Sequence, residues 1–154
     1  MIYIAGLMAD LTQNEADELI QVDKIFEDNS PIVMDRPYKQ ERKLFSVVNH
    51  LDVFYLNMNE TAIEFGKYSV NNRFFQIPLV RICIDKDSVH ENPDGRLIKG
   101  SHLHVYKQEF GDKFADDLSH YEITATNSVQ ILAQFLAFCH IEKIEIKSQN
   151  QIGR

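Results

Sequence analysis

Two alternating stretches, Leu79–Asp85 and Ser101–Lys107, constrain this chain more than any other feature. A period of two marks a strand with one buried face. In the first stretch Leu79 or Val80, Ile82 and Ile84 face a core, while Arg81, Cys83 and Asp85 face the other side. In the second, Leu103 and Val105 take one face and His102, His104 and Tyr106 take the other. Between them lies Asn92-Pro93-Asp94-Gly95, with Pro and Gly where a type I turn prefers them. Pairing of the two strands across this loop is the simplest arrangement.

The rest of the chain supplies further sheet and two helices. Thr12-Gln13-Asn14-Glu15 has the spacing of a capping box, with Leu11 set to staple against Ala16. The helix that follows carries Leu19, Ile20, Ile25 and Phe26 as its apolar stripe and ends at Asn29-Ser30-Pro31. A short strand is weakly indicated within residues 1–5. Leu44 to Val48, Val53 to Met58, Ala62 to Phe65 and Phe74 to Ile77 are short runs rich in aromatic and β-branched residues, read as strands. Asn57–Thr61 and Asn71-Asn72 are read as turns, and Gly111-Asp112-Lys113 as another. A second helix over about Asn127–Cys139 is marked by Val129, Leu132, Phe135, Leu136 and Cys139. An alternating segment, Ile141–Lys147, closes the chain as a strand. The predicted fold is α+β: a mostly antiparallel meander with an N-terminal and a C-terminal helix packed on it, in a single domain over residues 1–154.

Composition narrows the function classes. No apolar run approaches the ~20 residues a spanning helix needs. The apolar opening, Met1–Ala9, has no basic flank, so it is not read as a secretory signal. A cytoplasmic protein without membrane contact is expected. The net charge of -7 argues against non-specific nucleic-acid binding through bulk charge, though not against a local basic site. Most of that charge lies in the first 36 residues, where Asp10, Glu15, Asp17, Glu18, Asp23, Glu27, Asp28 and Asp35 face only Lys24 and Arg36. Cys83 and Cys139 sit in apolar patterns without metal or disulfide spacing and are read as small buried hydrophobes. No Walker loop, dinucleotide-binding glycine pattern or nucleophile elbow is present.

His102-Leu103-His104 is where chemistry is expected. The two imidazoles share a strand face, and His90 and Asp94 hang at the loop end of that face. Three readings stand side by side. For metal-free RNA cleavage, His102 and His104 supply acid and base, Arg81 and Lys113 hold phosphate, His90 and Asp94 support, and Lys107 and Tyr106 contact substrate. In the second reading His102 and His104, with His90 or Asp94, bind Zn²⁺ or another divalent ion. In the third the histidines are structural, bracing the Asn92–Gly100 loop by hydrogen bonds.

The stretches His90-Glu91-Asn92-Pro93-Asp94-Gly95, His102-Leu103-His104-Val105-Tyr106 and Gly111-Asp112-Lys113-Phe114-Ala115 carry a resemblance. Leu11–Ile20, Asn72-Arg73, Leu79–Ile82 and Phe135–Cys139 extend it. The chain resembles a family of uncharacterised small proteins of bacteria and phages, a domain of unknown function. It departs from that pattern at Phe114, where Trp is expected, and at Glu91, where a basic residue is expected. The missing charge beside His90 weakens a phosphate role there. The resemblance implies cargo of a mobile element, a setting in which toxins and phage–host conflict proteins are common.

Two functions from different classes follow as expectations. One is a toxin-like RNA-cleaving enzyme. The other is a non-enzymatic inhibitor of a host or defence protein, comparable to an anti-CRISPR protein. There the acidic surface at Asp17, Glu18 and Asp23 would occupy a groove that normally holds nucleic acid.

Overall fold

The computed structural model of the protein describes residues 3–4, 7–8, 10–34, 38–60 and 67–148. The expected strand at Ala62–Phe65 lies outside these residues, as do Asp35 and Arg36.

The chain opens with a two-residue pair, β1 (Tyr3–Ile4) and β2 (Leu7–Met8). Helix α1 (Gln13–Gln21) starts at the expected capping box. Thr12 Oγ1 accepts from the Glu15 amide and Glu15 Oε1 accepts from the Thr12 amide. The helix ends a full turn earlier than its periodicity suggests. Val22 is extended, and Lys24–Phe26 is strand β3, paired with β5 (Tyr38–Ser46). Long-range ladder hydrogen bonds therefore override a weak apolar stripe, and Phe26 reaches the core from a strand.

After β4 (Ile32–Met34), strands β5, β6 (Val53–Glu60), β7 (Tyr68–Phe74) and β8 (Ile77–Ile84) form an antiparallel meander. Asn57–Glu60 and Asn71-Asn72, expected as turns, lie inside strands. The tight turn is instead Phe75-Gln76, with Phe75 in the left-handed region at φ 49°. Alternation outweighs the turn preference of asparagine, since Phe54, Leu56 and Met58 bury on one face while Asn57 and Asn59 take the other.

The expected loop after β8 is a hairpin arm, β9 (Val89–Glu91) against β10 (Leu97–Lys99). Its turn holds the predicted bond from the Gly95 amide to the Asn92 carbonyl, with Gly95 at φ +87°. Next come β11 (His102–Val105) and β12 (Ala115–Asp117), a 3-10 turn at Leu118–Tyr121, and α2 (Ser128–Phe138), capped by Asn127. The expected closing strand is shorter than read: Ile141 makes a single bridge to Lys24, and the strand itself is Ile146–Ser148 (β13), which runs parallel to β4.

The main sheet has the order β12-β11-β8-β7-β6-β5-β3, every neighbouring pair antiparallel. The expected α+β class holds, with a helix at each end of the chain. Ala16 and Ile20 of α1 and Ile131, Leu132, Phe135 and Leu136 of α2 join the sheet residues in one core. Lys24 ties the two helices together. Its side chain is fully buried, and Nζ donates to the carbonyls of Ile20, Val22 and Cys139. These carbonyls lie at two helix C-termini, where unpaired acceptors and the helix dipole favour a cation. Among the described residues no helix is long and apolar enough to cross a membrane.

Candidate functional site

Pairing of β8 with β11 sets His102 opposite Cys83 and His104 opposite Arg81. Residues directly opposite in an antiparallel ladder share a face. One rung therefore carries an imidazole and a thiol, and the next an imidazole and a guanidinium. Leu103, opposite Ile82, turns into the core on the other side. The β9–β10 arm brings His90 against both histidines. Its ring centroid is 5.3 Å from that of His102 and 4.8 Å from that of His104, and those two are 4.9 Å apart. His102 is only 5% exposed and His104 only 2%.

Hydrogen bonds hold the arm in place. Asn92 Nδ2 donates to the Ala115 carbonyl and Asn92 Oδ1 accepts from the Ala115 amide, so a side chain stands in for a strand rung. His90 Nε2 donates to the Lys113 carbonyl at 2.8 Å, and His102 Nδ1 donates to the Gly100 carbonyl at 2.8 Å. A carbonyl only accepts, so the bonded nitrogen carries the proton. The lone pair of neutral His102 is then on Nε2.

Burial disfavours charge throughout the cluster. It holds His102 below the ordinary histidine value and pushes His104 down to about 3. The Arg81 cation, His102 and His90 reinforce the shift at His104, while the Asp112 backbone pulls the other way. Burial also raises the Cys83 thiol, and Arg81 opposes this. The Arg81 guanidinium stands between the two rungs: Nη1 is 3.9 Å from Cys83 Sγ and Nη2 is 3.4 Å from Asp112 Oδ2. Asn71, Arg81 and His104 occupy one row across β7, β8 and β11. Asn71 Oδ1, Arg81 Nε and His104 Nδ1 are all buried there without a hydrogen-bond partner. Leaving such an atom unpaired costs on the order of 1–3 kcal/mol.

Beside the cluster is a cationic, aromatic turn. Lys107 and Gly111 exchange backbone bonds, and the rings of Phe110 and Phe114 stack 6.0 Å apart at 23°. Lys107 Nζ lies 5.1 Å from the Phe114 ring and the Arg96 guanidinium 5.6 Å from it. Lys113, next in the chain to Phe114, is the residue whose carbonyl holds His90.

The expected site residues divide. His90, His102, His104 and Arg81 come together, and exposed Lys107 and Lys113 flank them. Asp94 does not join them. It is exposed, and its carboxylate accepts from the Arg96 amide to close the turn. Tyr106 does not either. Strand β11 ends at Val105, the alternation lapses, and the Tyr106 hydroxyl donates to the Leu11 carbonyl from inside the core. Cys83, read as a small hydrophobe, belongs to the cluster. Its shared parity with Arg81 was the signal in the sequence, and the register that sets it opposite His102 makes it part of the site. The Phe110–Phe114 stack was also missed, because a pair four residues apart in a turn has no sequence periodicity.

The acidic end is organised differently from expectation. Glu18 borders a cleft of about 320 Å³ together with Glu15, Asp52, Leu11, Leu19 and Val48. Asp17 instead accepts from Gln13, and Asp23 lies 3.6 Å from His140. Val47, Val48 and Leu51 on the adjacent β5–β6 turn are exposed, Val48 to 81%.

A family model described as a family of unknown function (DUF6978) matches residues 11–141. Nothing among curated proteins and nothing among solved structures matches the chain.

Proposed function

The chain belongs to the family of unknown function DUF6978, and we propose that it is an RNA-binding effector. It engages a single strand at the Phe110–Phe114 platform and presents the strand's backbone to the histidine cluster. The observation that carries this is the stacked pair flanked by Lys107 and Arg96 in an otherwise acidic protein. Aromatic faces accept bases of any sequence, and flanking cations meet phosphate. Cleavage of the bound strand is the activity this reading assigns. His90, the accessible imidazole of the three, transfers protons in place of shielded His104, with Arg81, Lys107 and Lys113 on phosphate. The setting is the bacterial cytoplasm, as a toxin-like protein of a phage or mobile element. The resemblance of the histidine, Asn-Pro-Asp-Gly and His-Leu-His stretches supports that setting.

Fluorescence polarisation with a labelled single-stranded RNA, followed by gels of the same RNA with and without chelator, tests the proposal. Binding should weaken with added salt and fall at least about tenfold in Phe110→Ala/Phe114→Ala. His90→Ala should bind but not cleave. Absence of binding at low salt by folded protein overturns the reading. Undiminished cleavage by both His90→Ala and His102→Ala/His104→Ala removes the catalytic part.

A second reading, the acidic inhibitor of a nucleic-acid-binding protein, is favoured by the cleft beside α1. Acid groups around an apolar floor suit a basic, amphipathic partner segment. Glu15→Lys/Glu18→Lys/Asp52→Lys should then abolish inhibition of such a partner. Reversal at Asp17 and Asp23, outside the cleft lining, should matter less. Unchanged inhibition in the triple variant excludes this surface.

A further inference from the structure

We infer that Cys83, His102 and His104 bind a divalent transition-metal ion of the zinc type, with Cys83 Sγ, His102 Nε2 and His104 Nδ1 as its ligands. This goes beyond RNA recognition, and its three ligands lie outside the Phe110–Phe114 platform.

The geometry comes first. One donor atom from each of the three side chains lies within 4.8 Å of the other two. A tetrahedral ion with bonds of about 2.1 Å to nitrogen and 2.3 Å to sulfur needs donors roughly 3.4–3.7 Å apart. A contraction of about 1 Å closes the set, which side-chain rotation can supply. All three residues sit on the central strands β8 and β11, so their backbones are held by ladders on both sides. Soft thiolate with imidazole selects zinc-like ions over magnesium or calcium, which prefer oxygen.

The state of each donor comes second. His102 already donates Nδ1–H to the Gly100 carbonyl, the outer bond that orients a ligating histidine and frees its Nε2 lone pair. His104 Nδ1 is buried, 2% exposed as a residue, and has no hydrogen-bond partner among the described residues. A bound cation satisfies it. Arg81 Nη1 beside Cys83 Sγ opposes the burial that disfavours a thiolate, and Asp112 offsets the charge that Arg81 brings to the site. Asp94, the oxygen donor expected from the sequence, is tied up in its turn and takes no part. Three protein donors leave a tetrahedral ion one further position, and His90 packs against both ligating rings.

Titration of chelator-treated full-length protein with Co²⁺, followed by competition with Zn²⁺, tests this without reference to RNA. One ion per chain is expected, with tetrahedral visible bands and a near-ultraviolet thiolate-to-cobalt band that Zn²⁺ abolishes. Cys83→Ser should lose the near-ultraviolet band, and His104→Gln should weaken binding at least about 100-fold. His120→Ala, outside the cluster, should leave both unchanged. Circular dichroism confirms that each variant is folded, and His102→Gln substitutes for any that is not. Absence of binding by the parent protein overturns the inference, as does a cobalt spectrum unchanged in Cys83→Ser.

Discussion

Asn92 and Ala115 exchange two hydrogen bonds, 2.9 Å from Nδ2 to the carbonyl and 2.8 Å from the amide to Oδ1. Asn92 is 2% exposed, so both bonds are shielded from water. This one side chain fastens the β9–β10 arm to β12 and thereby holds His90 over the other histidines. Asn92→Ala leaves the Ala115 amide and carbonyl buried and unpaired. It should cost roughly 2–4 kcal/mol in urea denaturation. Hydrogen exchange across Val89–Lys99 should accelerate more than exchange in β6 or β7.

His104 makes stability depend on pH. Its folded value of about 3 lies below the ordinary 6.5, so between those values the unfolded chain binds a proton that the folded chain does not. Its contribution is complete above 6.5 and declines as pH falls toward 3. The loss should be about 1.4 kcal/mol per pH unit within that window, and His102 acts in the same direction. Urea midpoints of metal-free protein between pH 7 and pH 4 should fall accordingly. His104→Gln should flatten the slope.

Lys24 gives a test of the same sign at alkaline pH. Burial lowers its folded value to about 8, against an ordinary 10.5. Between those values the unfolded chain again holds the extra proton, so stability should rise with pH across that window. Lys24→Ala removes the rise. It also removes the buried stem and three bonds to helix-end carbonyls, and should cost roughly 3 kcal/mol or more by chemical denaturation.

Tyr106 separates stability from RNA contact. Its hydroxyl donates to the Leu11 carbonyl at 2.7 Å inside the core. Tyr106→Phe should cost about 1 kcal/mol in thermal or urea unfolding. RNA polarisation should match the parent protein. A selective loss of RNA binding with stability unchanged would return Tyr106 to the substrate surface.

Local signals were the legible ones. The Thr12–Glu15 capping box and the turn closed by Gly95 each involve residues within a few positions of one another. Such contacts form whatever the rest of the chain does. Where the reading failed, a distant partner decided. Ile25 and Phe26 kept a nearly helical spacing but entered a strand because β5 offers ladder partners. Asn57 and Asn71 looked like turn residues, yet they sit inside paired strands, on the parity opposite the core. The segment after β8 read as a loop because two three-residue strands carry too few residues to show a period.

The candidate site divides along the same line. Alternation by itself determined that His102 and His104 share a face, and that Arg81 and Cys83 share one, because a strand's period sets the direction of every second side chain. It did not determine which rung meets which. Only the tertiary pairing set Cys83 against His102 and Arg81 against His104, folded the arm so that His90 reaches both rings, and sent Tyr106 inward. The reason is that side-chain parity belongs to one strand, whereas register is a property of two strands far apart in the chain. It is set by which pairing buries Leu103 and Ile82 together and leaves the fewest backbone groups unbonded.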